Sequence, residues 1–133
     1  MGVNLYKISF HIKHPEMDLE HAAQKLGLVP FRIWKSGAQK ATPKGTLLDG
    51  EYVFSYCCIR LNNDGGFRVP EVISGLLSKL ESDFQYWLNI SSSGGRIYLV
   101  VFSEEPEERY CDEFDFGLLS RLAKLKISLE FDV

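Results

Sequence analysis

Apolar and polar residues alternate strictly from Leu5 to Lys13. Tyr6, Ile8, Phe10 and Ile12 fall on one side of an extended chain, and Lys7, Ser9, His11 and Lys13 on the other. A period of two predicts a strand with one buried face, because successive side chains of extended backbone point in opposite directions. His14-Pro15 ends it. The period then lengthens. Asp18 predicts a helix N-cap, its carboxylate accepting a backbone N–H, and Leu19, Ala22, Ala23 and Leu26 follow at helical spacing. Gly27 supplies the left-handed residue that closes such a helix, and Leu28 the apolar contact beyond it.

Residues 29–50 (VPFRIWKSGAQKATPKGTLLDG) carry no period, and only Ile33-Trp34 suggests a short edge strand. An irregular stretch of this length inside a small domain points to function or to mobility. Periodicity resumes with a strand at Glu51–Leu61, rich in aromatic and β-branched residues, followed by the turn cluster Asn62–Gly66. Pro70 suits a helix's first turn, and Val72, Ile73, Leu76, Leu77 and Leu80 give that helix a broad apolar face, with Gly75 read as allowing close approach to the sheet. Phe84, Tyr86, Leu88 and Ile90 alternate with Gln85, Trp87 and Asn89, which predicts another strand, with a hairpin turn at Ser91–Gly95. The nearly continuous apolar run in Arg96–Ser103 predicts a central strand covered on both faces. Asp115 predicts an N-cap for a helix with the stripe Phe116, Leu119, Leu122 and Ala123. The last strand turns Ile127, Leu129, Phe131 and Val133 inward and Ser128, Glu130 and Asp132 outward.

These elements predict a single α+β domain over residues 1–133, with a mainly antiparallel five-stranded sheet and helices on one face. Residues 51–133 alone read βαββαβ, the ferredoxin-like order, with an added N-terminal β-α unit.

Composition narrows the function more than it narrows the fold. At 45% hydrophobic and 25% charged residues, 133 residues bury a core without disulfide or metal staples. A net charge of −3 argues against nucleic acid and anionic membranes as partners, and no apolar run reaches the length of a membrane span. The N-terminus lacks a signal-peptide pattern. Three cysteines, Cys57, Cys58 and Cys111, form no disulfide framework and fit reduced thiols in a cytoplasm.

No nucleophile motif, nucleotide-binding glycine loop or metal-ligand spacing occurs, and His11, His14 and His21 match no zinc pattern. The expectation is therefore no catalytic residue, no metal and no cofactor, with an enzyme the less favoured reading. Charge, however, is segregated. Residues 22–48 hold Lys25, Arg32, Lys35, Lys40 and Lys44 and no acid, whereas residues 104–115 hold Glu104, Glu105, Glu107, Glu108, Asp112, Glu113 and Asp115 against Arg109. Such segregation steers partners of opposite charge. The Arg32-Ile33-Trp34-Lys35 turn suits an anion or a stacked ring. Asp112 and Glu113 beside Tyr110 suit a basic protein.

If helices cover one face of the sheet, the other shows Cys57, Trp87, Tyr98, Val100 and Phe102. That apolar patch calls for a cover, either the 29–50 segment or a second copy in a homodimer. Two functions follow. One is a non-catalytic protein-binding module using these surfaces. The alternative is a small-ligand sensor or uncharacterised enzyme, with a pocket between the 29–50 loop and the sheet lined by Arg32, Trp34 and His11.

Several stretches together resemble a bacterial family known as domain of unknown function 4279. They are the alternating first strand, Asp18-Leu19, the helix exit Leu26-Gly27-Leu28-Val29-Pro30, the basic turn Trp34-Lys35-Ser36-Gly37, the closing helix Phe116-Gly117-Leu118-Leu119, and Leu125–Asp132. The resemblance implies a small α+β domain and carries over no catalytic residue. Some members resemble immunity proteins encoded beside toxins, which implies a toxin-like protein partner.

Overall fold

A computed structural model describes residues 6–61, 67–103 and 109–133. Leu5, the Asn62–Gly66 turn and the acidic residues Glu104, Glu105, Glu107 and Glu108 lie outside the described residues. The strands are β1 (Tyr6–His14), β2 (Arg32–Trp34), β3 (Gln39–Ala41), β4 (Leu47–Glu51), β5 (Ser55–Leu61), β6 (Arg96–Ser103) and β7 (Ile127–Asp132). The helices are α1 (Glu20–Leu26), α2 (Val69–Glu81), α3 (Phe84–Ser92) and α4 (Phe116–Lys124). None of these helices is long and apolar enough to cross a membrane.

A five-stranded sheet has the order β2-β5-β1-β6-β7, and β3 and β4 form a separate two-stranded sheet. The first strand is thus the centre of the large sheet. Pairing is antiparallel except between β6 and β7, which are parallel. The strand count matches the pattern-based expectation, but one member differs. Residues 84–90 form α3 and leave the sheet, and β2 makes up the number. With α2 and α3 between β5 and β6 and no strand there among the described residues, the βαββαβ order does not hold.

The cause is Trp87. In α3, Trp87 and Ile90 lie one turn apart and both are buried, and the indole packs edge-on against Phe10 with ring centroids 6.1 Å apart. Gln85 donates to Asn89 at 2.8 Å across the exposed side of the same turn. Aromatic bulk favours strands in isolation, and burial of one indole on the sheet overrides that preference. Trp87 is therefore a core residue and not part of the open sheet face.

The core lies on one side of the sheet. Tyr6, Ile8, Phe10 and Ile12 of β1 meet Cys57 and Ile59 of β5 and Ile97, Leu99 and Val101 of β6, and all four helices contribute to the same cluster. Cys57 pairs with Ile12 and faces this core, so it is Cys58 that points to the other side. The apolar run of β6 is not covered by helices on both faces. Its odd-numbered residues enter the cluster, and Tyr98, Val100 and Phe102 do not.

Local chemistry places most element ends as expected. Gly27 has φ +67, and the Leu28 N–H reaches back to the Ala23 carbonyl. The Asp115 side chain caps α4 by accepting from Leu118 N–H at 2.9 Å. Asp18 differs. Its carboxylate accepts from Glu20 N–H at 3.0 Å, a turn that precedes the helix, while the cap position belongs to Leu19. The stripe on α4 is also displaced. Leu118 and Leu122 are buried, whereas Phe116, Leu119 and Ala123 face outward. Beside this buried side, the Arg121 guanidinium grips both Glu81 oxygens on α2 at 2.8 and 2.9 Å and the Ser74 hydroxyl at 2.7 Å. Gly75 does not serve close packing, since a Cβ there would meet nothing within 4 Å.

His14 ties the end of β1 to the α3–β6 turn. Its Nδ1 accepts from the backbone N–H groups of Glu16 (3.0 Å) and Met17 (2.9 Å), which leaves Nε2 to donate to the Ser93 hydroxyl at 2.8 Å. Ser93 in turn donates to the Asn89 carbonyl at 2.7 Å.

Candidate functional site on the open face of the sheet

Register decides which side chains share the uncovered face. Arg32 and Trp34 of β2 lie opposite Cys58 and Tyr56 of β5, and Lys7, Ser9, His11 and Lys13 of β1 share that side. Across β1 stand Arg96, Tyr98, Val100 and Phe102 of β6, followed by Ser128, Glu130 and Asp132 of β7.

The rings on this face form a connected row. Tyr52 stacks on Trp34 (centroids 4.4 Å, 10° between planes), Trp34 leans on Tyr56 (4.7 Å), and His11 stacks flat on Tyr98 (4.6 Å, 3°). His11 bridges the two halves: its Nδ1 lies 2.6 Å from the Tyr56 hydroxyl and its Nε2 2.7 Å from the Ser9 hydroxyl. The Arg96 guanidinium lies 4.2 Å over the Tyr98 ring and pairs with Glu130 at 3.0 Å.

This packing shifts the titrating groups. Burial pushes the Tyr56 phenol well above its ordinary value, with the neighbouring Cys58 adding to the effect, and burial raises the Cys58 thiol as well. Burial also lowers His11, assisted by Lys13 and Arg96 and opposed by Glu130. A histidine with a depressed folded-state pKa binds fewer protons folded than unfolded, so folding stability falls as pH drops through the unfolded value of 6.5 and levels off below the folded one. The urea midpoint is expected to decrease from pH 7.5 to pH 5, and His11→Asn to flatten that dependence. An equally steep profile in the variant would show that His11 is not the group responsible.

Ser9, His11 and Tyr56 stand in the order of nucleophile, base and orienting group. The surroundings do not support acyl transfer. Ser9 is buried in the middle of β1, which is paired along both edges, so nearby backbone N–H groups belong to the ladders and supply no oxyanion site. The network holds the rings in place. Among the described residues no cluster of histidine, cysteine and carboxylate groups could hold a metal, and His14 and His21 lie away from His11.

Charge on the face is one-sided. Among the described residues, five basic side chains (Lys7, Lys13, Arg32, Arg60 and Arg96) stand there against two acids, Glu130 and Asp132, in a chain of net charge −3. Among the described residues, only Arg96 of the five has a carboxylate partner.

At the β2 edge of the face, the β3–β4 hairpin stands off the outer strand and leaves a cleft of about 440 Å³. Arg32, Trp34, Gln39, Thr42, Pro43 and Tyr52 are among its walls. This is where the pocket between the 29–50 segment and the sheet was expected, but His11 is not part of its lining.

Of the residues singled out from the sequence, Arg32, Trp34, Tyr98 and Phe102 come together on this face, with Lys35 exposed at the end of β2. Tyr98 is nearly buried by its neighbours, at 8% exposure. Trp87 is in the core. Tyr110 packs on Tyr6 and Phe131, and Asp112 pairs with Arg68 at 3.4 Å, so these two anchor their segment, while Glu113 beside them is exposed. Tyr52, Tyr56, Arg60 and Arg96 carry no motif. The signal for Tyr56 and Arg60 is phase alone: with Cys57 and Ile59 inward, Tyr56, Cys58 and Arg60 must point outward.

No curated protein and no solved structure matches the chain. One family model does, over residues 4–133, essentially the whole length. The chain belongs to the DUF4279 family, a domain of unknown function.

Proposed function

We propose that the protein is a non-catalytic protein-binding module, and that its contact surface is the open face of the five-stranded sheet, which accepts an acidic surface of its partner. The observation that carries this reading is the excess of cations on that face of a net acidic chain, of which Lys7, Lys13, Arg32 and Arg60 have no carboxylate partner among the described residues. Guanidinium and ammonium groups held around a rigid ring row pair with carboxylates and steer the encounter.

Single-stranded nucleic acid also seeks aromatic sheets, but it needs ring faces free for bases. Here Tyr98 is nearly buried against His11 and Arg96, and Trp34 is stacked on Tyr52. The occupied ring faces favour protein over nucleic acid. Cys57 and Cys58 point to opposite sides of β5, so that adjacent pair cannot bridge, which fits a reducing compartment.

Photo-reactive phenylalanine placed at Phe102 or Arg60 is expected to capture one discrete protein in the native host, less so at raised salt, whereas the same group at Lys79 on α2 captures nothing. Equal capture from both sides, capture of nucleic acid, or capture only of a second copy of this chain would each sink the reading.

A further inference from the structure

We infer that the cleft between β2 and the β3–β4 hairpin is a binding site for a small aromatic carboxylate.

The hairpin is the first argument. Every residue of β4 is exposed, and no residue from 35 to 51 enters the core cluster. Ordering this much chain costs conformational entropy that the core does not offset. The arm is nevertheless fixed. Gly37 N–H donates to the Tyr52 carbonyl at 2.8 Å, Tyr52 N–H donates to the Ala38 carbonyl at 2.9 Å, and the Tyr52 hydroxyl donates to the Ala41 carbonyl at 3.2 Å. Gly37 supports this turn at φ +86, a conformation side chains resist. What the arm creates is the far wall of a cleft whose volume, about 440 Å³, falls within the usual range for small-molecule sites.

The lining gives the ligand class. Phe31, Trp34, Pro43 and Tyr52 give the cleft its apolar lining, beside the polar side chains of Gln39 and Thr42. Trp34 cannot turn its polar edge inward, because its indole N–H donates to the Phe54 carbonyl at 3.0 Å. These walls take a planar hydrocarbon body. Arg32 is the charged residue among those lining the cleft, and among the described residues it has no carboxylate partner. Lys35, Lys40 and Lys44 share its sign, and the acid that register brings closest is Glu51, which pairs with Gln39 across the hairpin. A guanidinium fork matches one carboxylate through two parallel hydrogen bonds. A ring system bearing a single carboxylate satisfies both the walls and the charge.

The test uses the two indole N–H signals of the whole protein in nitrogen-15 NMR. Trp34 stands in the cleft wall and Trp87 in the core, and Trp34→Phe identifies which signal is which. Titration with 2-naphthoate is expected to shift the Trp34 signal and leave Trp87 in place, with half-saturation below about 1 mM. Arg32→Gln is expected to weaken binding about tenfold or more, as is replacing the probe with its neutral analogue 2-naphthamide. The proposal is overturned if naphthamide binds as well as naphthoate, if Arg32→Gln binds as tightly as the parent, or if the Trp34 signal does not move at about 10 mM probe. Capture at Phe102, at the far side of β1 from the cleft, reports separately on the protein-binding surface.

Discussion

Replacing Trp87 with alanine is expected to lower the free energy of unfolding by about 3–5 kcal/mol, the usual range for deleting a fully buried aromatic side chain. The indole is 1% exposed and rests on Phe10 at the centre of the core. Collapse around the missing ring is limited, because Phe10 belongs to the central strand β1, which is held by ladders on both edges. Urea unfolding gives the answer directly: the midpoint falls while the slope, which follows the surface exposed on unfolding, stays constant. On an outward-facing strand the same change would move stability by only about 0.5 kcal/mol. A loss that small would contradict the packing of α3.

Gly95→Ala carries the second large effect. A Cβ at this position would lie 2.5 Å from the Ile90 carbonyl oxygen, 2.8 Å from the Ile90 Cγ2 and 2.9 Å from the His14 ring. The first of these is backbone within α3 and cannot rotate away. The Gly95 N–H also donates to that same Ile90 carbonyl at 2.8 Å, so the chain cannot move off without losing a hydrogen bond. Overpacking of this kind costs about 1–3 kcal/mol, and the displaced His14 ring would weaken its bond to Ser93 as well. Thermal unfolding measures the loss. A melting temperature unchanged from the parent would mean that the turn is looser than its contacts indicate.

The central strand β1 was legible because one of its faces is buried. Tyr6–Ile12 alternates as a half-buried strand must and keeps the phase the pattern assigns it, and at the sheet edge Ile127 and Leu129 turn inward as assigned, whereas Phe131 and Val133, also assigned inward, are exposed. Caps were legible at Asp115 and Gly27 for equally local reasons. Residues 84–90 were not. Their aromatic residues fit a period of two as well as a period of 3.6, and only contact with Phe10, far away in sequence, decides between them. The same holds for α4, where burial of Leu118 and Leu122 against the rest of the core decides which side faces inward.

The candidate site was half legible. Arg32, Trp34, Tyr98 and Phe102 stand out by residue type. The single-residue choice between Cys57 and Cys58 as the inward thiol, which brings Tyr56 and Arg60 to the same face, depends on strand register, and nothing in the local composition of Ser55–Leu61 sets it.

The position of β1 has a consequence for biosynthesis. β1 leaves the ribosome before β5 and β6, the two strands that flank it in the finished sheet, and Arg96–Ser103 follows it by more than eighty residues. Until then the nascent polypeptide holds a greasy ribbon with an unmated backbone edge, the kind of surface that recruits chaperones or joins other chains. Messages cut short before Arg96 are therefore expected to yield insoluble fragments, however complete their α1 and hairpin segments are.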